Sequence, residues 1–160
     1  YIDQNNSRIQ EKVCYIENRG TGFYVHSSKQ NGMNLQSKST HGPYNENDFD
    51  ILRVYLLCKV DDLGKVSFKR ENYNIKYNGK NYEKAINHIK SYKLFGYWDI
   101  PMHKLISENY VSTKNQEGKQ GLIVFLPEEV ANSIDYELPK QIRKNTPIWT
   151  REYFHKVYNS

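Results

Sequence analysis

The stretch Phe49-Asp50-Ile51-Leu52-Arg53-Val54-Tyr55-Leu56-Leu57-Cys58-Lys59-Val60 carries the strongest structural signal in this chain. It is rich in aliphatic residues, and its apolar run is nearly continuous. A run of this length predicts a central β-strand that neighbouring elements cover on both faces. A turn is predicted directly after it, at Asp61–Gly64. The rest of the fold is expected to be arranged around this strand.

Composition sets limits on the kind of protein this is. The chain has 160 residues, which is enough for one domain with a substantial core. Its formal net charge of +5 favours a polyanionic partner, although many small domains are equally basic. Cys14 and Cys58 lie in apolar runs, which predicts two reduced, buried thiols and an intracellular protein. No apolar run approaches the roughly 18 residues of a membrane helix, so no membrane partner is expected.

The remaining segments predict short strands and helices. In the first third these are a hairpin over 1–16 with its turn at Asn5-Asn6, a strand over 23–28, a turn at Asn31-Gly32 and a polar loop over 37–43. Further along they are a helix over 82–94, a strand over 95–100, a helix over 102–108, a strand over 122–126, and a helix that Thr146 caps and that ends near Tyr158. The predicted fold class is α/β.

The run Ile9-Gln10-Glu11-Lys12-Val13-Cys14 predicts a strand that carries side chains suited to catalysis on one face. Strand alternation places Gln10 and Lys12 on one face and Glu11 on the other. An amide oxygen of Gln10 can bind a divalent metal, and the ammonium of Lys12 can hold an attacking water or steady a phosphate. From residue types alone, an ordinary surface strand explains the same pattern.

The same short motif occurs at two further places, Gln36-Ser37-Lys38 and Glu117-Gly118-Lys119. The first leads into a polar stretch, and the second lies in a glycine-containing turn. Only Gln10-Glu11-Lys12 continues directly into a strand-like run, Val13–Ile16. We therefore expect this copy to be the functional one.

Three segments in this order resemble the PD-(D/E)XK nuclease superfamily in its Gln-x-Lys variant. They are Ile9–Cys14, the stretch Tyr44–Leu52 with Asp48-Phe49-Asp50, and Tyr97-Trp98-Asp99-Ile100-Pro101-Met102. The resemblance covers most of residues 1–130 and is strongest to intron-type homing endonucleases and related restriction-like enzymes. It implies a restriction-endonuclease-like mixed central sheet flanked by helices. It also implies hydrolysis of phosphodiester bonds in double-stranded DNA with Mg²⁺, for which Mn²⁺ substitutes, and a homodimer that cuts both strands.

The resemblance requires an acidic metal ligand on the strand before Gln10. Asp3 is the candidate within the chain, and Asp3 and Gln10 would then hold the metal while Lys12 serves the water and the phosphate. The alternatives are an aspartate N-terminal to Tyr1 or the absence of this ligand. Asp48 and Asp50 are interpreted as caps of the loop before the strand rather than as a second metal pair.

Basic residues interleaved with tyrosines predict where DNA would lie. The segments 69–97 and 140–158 are interpreted as DNA-contacting additions to a single nuclease-like domain, 1–160, that forms the C-terminal part of a longer chain. The predicted phosphate contacts are Arg8, His26, Lys29, Lys80, Lys84 and Lys90. For His26 a structural role is the alternative, and for the 82–94 helix it is a solvated basic face. The rival function is a catalytically inactive nucleic-acid-binding module or an accessory domain of a larger nucleic-acid machine.

Overall fold

A computed structural model describes residues 1–16, 22–33, 39–68, 90–136, 138 and 142–159. The strands and helices within these ranges are short, apart from two long central strands. In chain order they are β1 (Ile9–Val13), β2 (Tyr15–Ile16), β3 (Phe23–His26), β4 (Ser28–Met33), β5 (Ser39–Pro43), β6 (Ile51–Val60), β7 (Val66–Ser67), β8 (Lys93–Pro101), α1 (Met102–Ser107), β9 (Gly121–Val124), α2 (Glu128–Ser133), a 3₁₀ helix (Ile148–Tyr153) and β10 (Phe154–Lys156).

A five-stranded mixed sheet forms the centre of the fold. Its strands run in the order β1-β6-β8-β10, and β7 pairs with the end of β6. β1 lies parallel to β6, whereas the other pairs are antiparallel. Strands β2, β3 and β9 form a second sheet, and β4 and β5 form a two-stranded hairpin. The predicted central strand and the mixed α/β class are therefore confirmed.

The core lies on one face of β6. Leu52, Val54 and Leu56 are buried there, while the alternate residues Arg53 and Tyr55 are only half-buried. The prediction that β6 is covered on both faces was therefore wrong. A strand with one polar face needs only one packed layer, and here the second sheet supplies it. Phe23 of β3 meets Trp98 of β8 with ring centroids 6.0 Å apart.

Two predictions in the N-terminal third were wrong. Asn31-Gly32 was expected to be a turn but lies inside β4, and the expected loop over 37–43 contains β5. These strands pair in antiparallel register with an irregularity between Gln30 and Gly32. Ladder pairing satisfies the backbone polar groups of a polar sequence, and a bulge accommodates a residue that would otherwise favour a turn.

The C-terminal helix was also mispredicted. Residues 148–153 form a 3₁₀ helix without a side-chain cap, and Phe154–Lys156 then form β10 instead of continuing the helix. The Thr146 hydroxyl accepts a bond from the Arg143 amide, 3.1 Å away, and caps no helix. β10 forms because the edge of β8 offers unpaired backbone groups, and helical spacing carries no information about that edge.

Other predictions hold where the structure describes the residues. The turn after β6, the helix after Pro101 and two buried, free cysteines are confirmed. The N-terminal hairpin is present as an antiparallel bridge between Ile2 and Arg8. Most of the predicted 82–94 helix lies outside the described residues, and its last two, Lys93 and Leu94, begin β8. In the part of the chain described, no helix is long and apolar enough to cross a membrane.

Candidate nucleic-acid interface

Gln10 and Lys12 lie on β1, the first strand of the central sheet. Gln10 stands opposite Leu52 and Lys12 opposite Val54, so both side chains share the face that carries the core. Both are half-buried. Glu11 points to the other face, where its carboxylate accepts a hydrogen bond from the Tyr55 hydroxyl. The expected division of β1 into a Gln10–Lys12 face and a Glu11 face is therefore confirmed.

The ammonium of Lys12 is held by neutral groups. It lies 3.4 Å from the Ser28 carbonyl oxygen and 5.6 Å from the centroid of the buried Tyr44 ring. Within the described ranges no carboxylate lies at ion-pair distance from it. The Gln10 amide donates to the Glu11 carbonyl at 3.3 Å. Lys12 therefore places a positive charge that no described carboxylate pairs with in a partly desolvated position, where it interacts more strongly with an anion than a fully exposed lysine would.

Asp48 and Asp50 each combine a backbone contact with an ion pair. Asp48 accepts from the Asn45 amide at 2.8 Å and from the Lys29 ammonium at 2.7 Å. Asp50 accepts from the Arg8 amide at 2.7 Å and from its guanidinium at 3.0 Å. Hydrogen bonds from Arg8 hold the pKa of Asp50 below its usual value. Both carboxylates fix the loop before β6, as the sequence indicated.

Asp3 belongs to the N-terminal turn. Its Oδ1 accepts hydrogen bonds from the amides of Asn5 and Ser7, each at 2.9 Å. Among the described residues, no group of three or more histidine, cysteine, aspartate or glutamate side chains could hold a metal ion. The Mg²⁺ or Mn²⁺ requirement and the catalytic roles of Asp3, Gln10 and Lys12 stay predictions.

The other predicted DNA contacts are distributed over separate elements. Arg8 directly precedes β1 and pairs with Asp50, and Lys29 follows Ser28 in β4 and pairs with Asp48. His26 is exposed at the end of β3, edge-on to Tyr24 at 5.0 Å. Lys90 is exposed shortly before β8. Several predicted contacts lie outside the described residues: Lys80, Lys84, most of 69–97, Gln36 and Lys38. In the two basic segments, residues 93–97 and 154–156 belong to strands of the central sheet.

A polar network on the opposite face of the sheet was missed by the sequence reasoning. Arg53 pairs with Asp99 through two bonds of 2.7 Å, and its guanidinium lies 4.9 Å from the Tyr97 ring centroid. Asp99 raises the pKa of Arg53, and burial together with the Glu11 bond raises that of Tyr55. The alternation of polar residues along β6 was the available signal. Because Arg53 and Asp99 neutralise each other, this network joins strands rather than attracting an anion.

Comparison with known proteins identifies a shared fold and no family. No protein-family model matches the chain, and no curated protein matches it significantly. The crystal structure of MepB is similar, with a TM-score of 0.52 and 14% sequence identity. The match covers 95% of this chain and 72% of that one. The likeness at this identity is one of mixed α/β fold.

Proposed function

We propose that this protein binds nucleic acid, with the phosphate backbone lying along β1 and the first residues of β4. The observation that carries the proposal is the Lys12 ammonium, half-buried and without a carboxylate partner among the described residues. Backbone phosphates supply the anions that such a charge attracts, and the counterions they release drive binding. The formal net charge of +5 acts in the same direction over a longer range.

The proposed basic site also includes Arg8, which directly precedes β1, and Lys29, which follows the Ser28 that Lys12 contacts. Each keeps an ion pair with a carboxylate, and the pairs are partly open to solvent, with the Arg8 side chain 48% and that of Lys29 32% exposed. Exposed pairs are weak, so a phosphate oxygen can share the donors of both side chains. Asp50 and Asp48 then hold these cations in position for the backbone. His26 and Lys90 are further proposed contacts.

Duplex DNA affinity at several salt concentrations tests the proposal on the wild type and on Lys12→Met, which keeps most of the apolar stem. Loss of one phosphate contact should weaken binding to all sequences and reduce the salt slope by about one. Lys65→Met is the matched control, since Lys65 is exposed in the turn after β6 and should leave the slope unchanged. Equal slopes for wild type and Lys12→Met would contradict binding at β1.

A second candidate function is metal-dependent cleavage of DNA by a restriction-endonuclease-like fold. The observation in its favour is that Gln10 and Lys12 share one face of β1, the spatial relation that the Gln-x-Lys motif requires. In this function Asp3 and Gln10 would hold the metal, and Lys12 would serve the water and the phosphate. A homodimer, as the resemblance implies, would allow both strands to be cut.

Cleavage of supercoiled plasmid in Mg²⁺ or Mn²⁺ tests this second function. Lys12→Ala should abolish cleavage and retain most of the DNA affinity, because a lysine at the reacting phosphate lowers the barrier more than it stabilises the ground state. Lys38→Ala, in the second copy of the motif, is the control. Loss of cleavage in Lys38→Ala alone would assign the chemistry to that copy. A wild-type protein that binds DNA but does not cleave it would contradict the nuclease function and agree with the binding function.

A further inference from the structure

A second basic site lies apart from β1, in a cavity of about 380 Å³. The end of α1, the loop before β9 and the loop before the 3₁₀ helix form its walls. Lys119, Lys144, Thr146, Tyr110 and Trp149 are among the residues that line it. A volume of this order suits one small ligand rather than an extended surface.

The charge of this cavity is positive. Lys119 and Lys144 are exposed, and neither lies at ion-pair distance from a carboxylate of the described residues. Glu108 is the acidic residue of the lining, and the Lys104 ammonium lies 3.1 Å from it. Since the negative charge is already compensated, the two lysines leave an excess of positive charge for an anionic ligand.

Tyr110 and Trp149 contribute two mutually inclined rings to the lining, and a lysine ammonium lies over each ring. Lys119 is 4.7 Å from the Tyr110 centroid, and Lys104 is 5.3 Å from the Trp149 centroid. Tyr110 is buried and Trp149 half-buried, and their ring centroids lie 6.1 Å apart at 55°. For neither the Tyr110 hydroxyl nor the Trp149 indole N–H is there a hydrogen-bond partner among the residues described. An occupant with polar atoms beside its phosphate can hydrogen-bond to this hydroxyl and this N–H, because a donor in a partly buried position gains from a partner.

We infer that this cavity binds a nucleoside monophosphate unit, with the phosphate at Lys119 and Lys144 and polar atoms of the sugar or base hydrogen-bonded to the Tyr110 hydroxyl and the Trp149 indole N–H. The unit has two sources, a free nucleotide and one nucleotide of a single strand. This inference does not rest on the proposed function, because the cavity and β1 share no residue.

Calorimetric titration with adenosine 5′-monophosphate, adenosine and inorganic phosphate tests the inference. The monophosphate should bind at least about tenfold more tightly than adenosine, because a charge-assisted bond to phosphate contributes that much. Lys144→Ala should weaken it several-fold, and the Lys119→Ala/Lys144→Ala double variant by about tenfold or more. Lys114→Ala, an exposed lysine outside the lining, should bind like the wild type.

Short single-stranded oligonucleotides with and without a 5′ phosphate distinguish the sources. Tighter binding of the oligonucleotide than of the monophosphate, lost in the double variant, would identify a strand as the ligand. Equal affinities would identify the free nucleotide. Equal binding of every ligand to the double variant and the wild type would overturn the inference, as would adenosine binding as tightly as its monophosphate. Lys144 is exposed, and its side chain has no hydrogen-bond or ion-pair partner among the described residues, so Lys144→Ala keeps the test decisive if the double variant unfolds.

Discussion

Trp98 lies between the two main sheets, where its large ring contacts residues of both and its indole N–H donates a hydrogen bond. Its ring lies 4.8 Å from Phe154 and 6.0 Å from Phe23 between centroids, and it is fully buried. Its indole N–H donates to the Phe125 carbonyl oxygen at 3.0 Å. A buried tryptophan of this kind contributes both apolar area and a hydrogen bond that solvent cannot replace.

Trp98→Phe should therefore lower the free energy of unfolding by about 2–4 kcal/mol, since it leaves a cavity and an unpaired Phe125 carbonyl. Urea unfolding followed by circular dichroism measures the change. Trp149→Phe is the control, because Trp149 is half-buried and should cost less than about 1.5 kcal/mol. An equal loss of unfolding free energy in the two variants would show that Trp98 is no more tightly packed than Trp149.

Asp50 gives the stability a pH dependence with a defined sign. Arg8 holds the pKa of Asp50 below its usual value in the folded state, so the folded protein binds fewer protons there than the unfolded chain. The resulting stabilisation is fully present above the unfolded pKa, about 3.9, and is lost as pH falls through the lower folded pKa.

Unfolding midpoints measured between about pH 5 and 2 should consequently fall less steeply for Asp50→Asn than for the wild type. The control is Asp62→Asn in the exposed turn after β6, which should retain the wild-type slope. If Asp50→Asn and the wild type had parallel profiles, the Arg8–Asp50 pair would contribute nothing to folding.

Among the elements, β10 depends on a glycine of its partner strand. Gly96 stands opposite Lys156, and a Cβ at Gly96 would lie 2.5 Å from both the His155 carbonyl oxygen and the Phe154 ring. Distances this short force atoms to move, and one of the two atoms belongs to the backbone. The absence of a side chain at this position is what lets the last strand approach the sheet.

Gly96→Ala should displace β10 and lower the unfolding free energy by about 1–3 kcal/mol, the usual cost of overpacking. Hydrogen exchange should accelerate at the Val157 and Tyr158 amides, which donate to the Phe95 carbonyl. Leu63→Ala, at a position 95% exposed, should change neither quantity. Unchanged exchange at Val157 in Gly96→Ala would mean that β10 docks without the glycine.

The whole molecule protects its two thiols. Cys14, after β1, and Cys58, in β6, are both buried, and burial raises the pKa of each thiol. Neither can react as a thiolate until the structure around it opens.

Both thiols should therefore react with a disulfide reagent slowly and at one common rate, which denaturant accelerates. Time-resolved labelling with mass spectrometry separates the two sites. Leu63→Cys supplies an exposed thiol as the control and should react at once. Fast labelling of Cys14 with Cys58 still protected would show that the β1 region opens locally.

The sequence by itself determined the elements whose signal is local. The apolar run of β6, the turn at Asp61–Gly64 and the helix after Pro101 follow from residue types, spacing and proline geometry. The alternation of β1 likewise placed Gln10 and Lys12 on one face, because strand geometry has a period of two.

Only the tertiary structure decided what depends on distant partners. β5 and β10 are strands because they pair with β4 and β8, and no local sequence pattern encodes that pairing. Asp48 and Asp50 are paired with Lys29 and Arg8, and the cavity lined by Lys119 and Lys144 joins the end of α1 to two later loops. Charge and hydrogen-bond satisfaction are properties of neighbours in space, so they emerge only when the chain is folded.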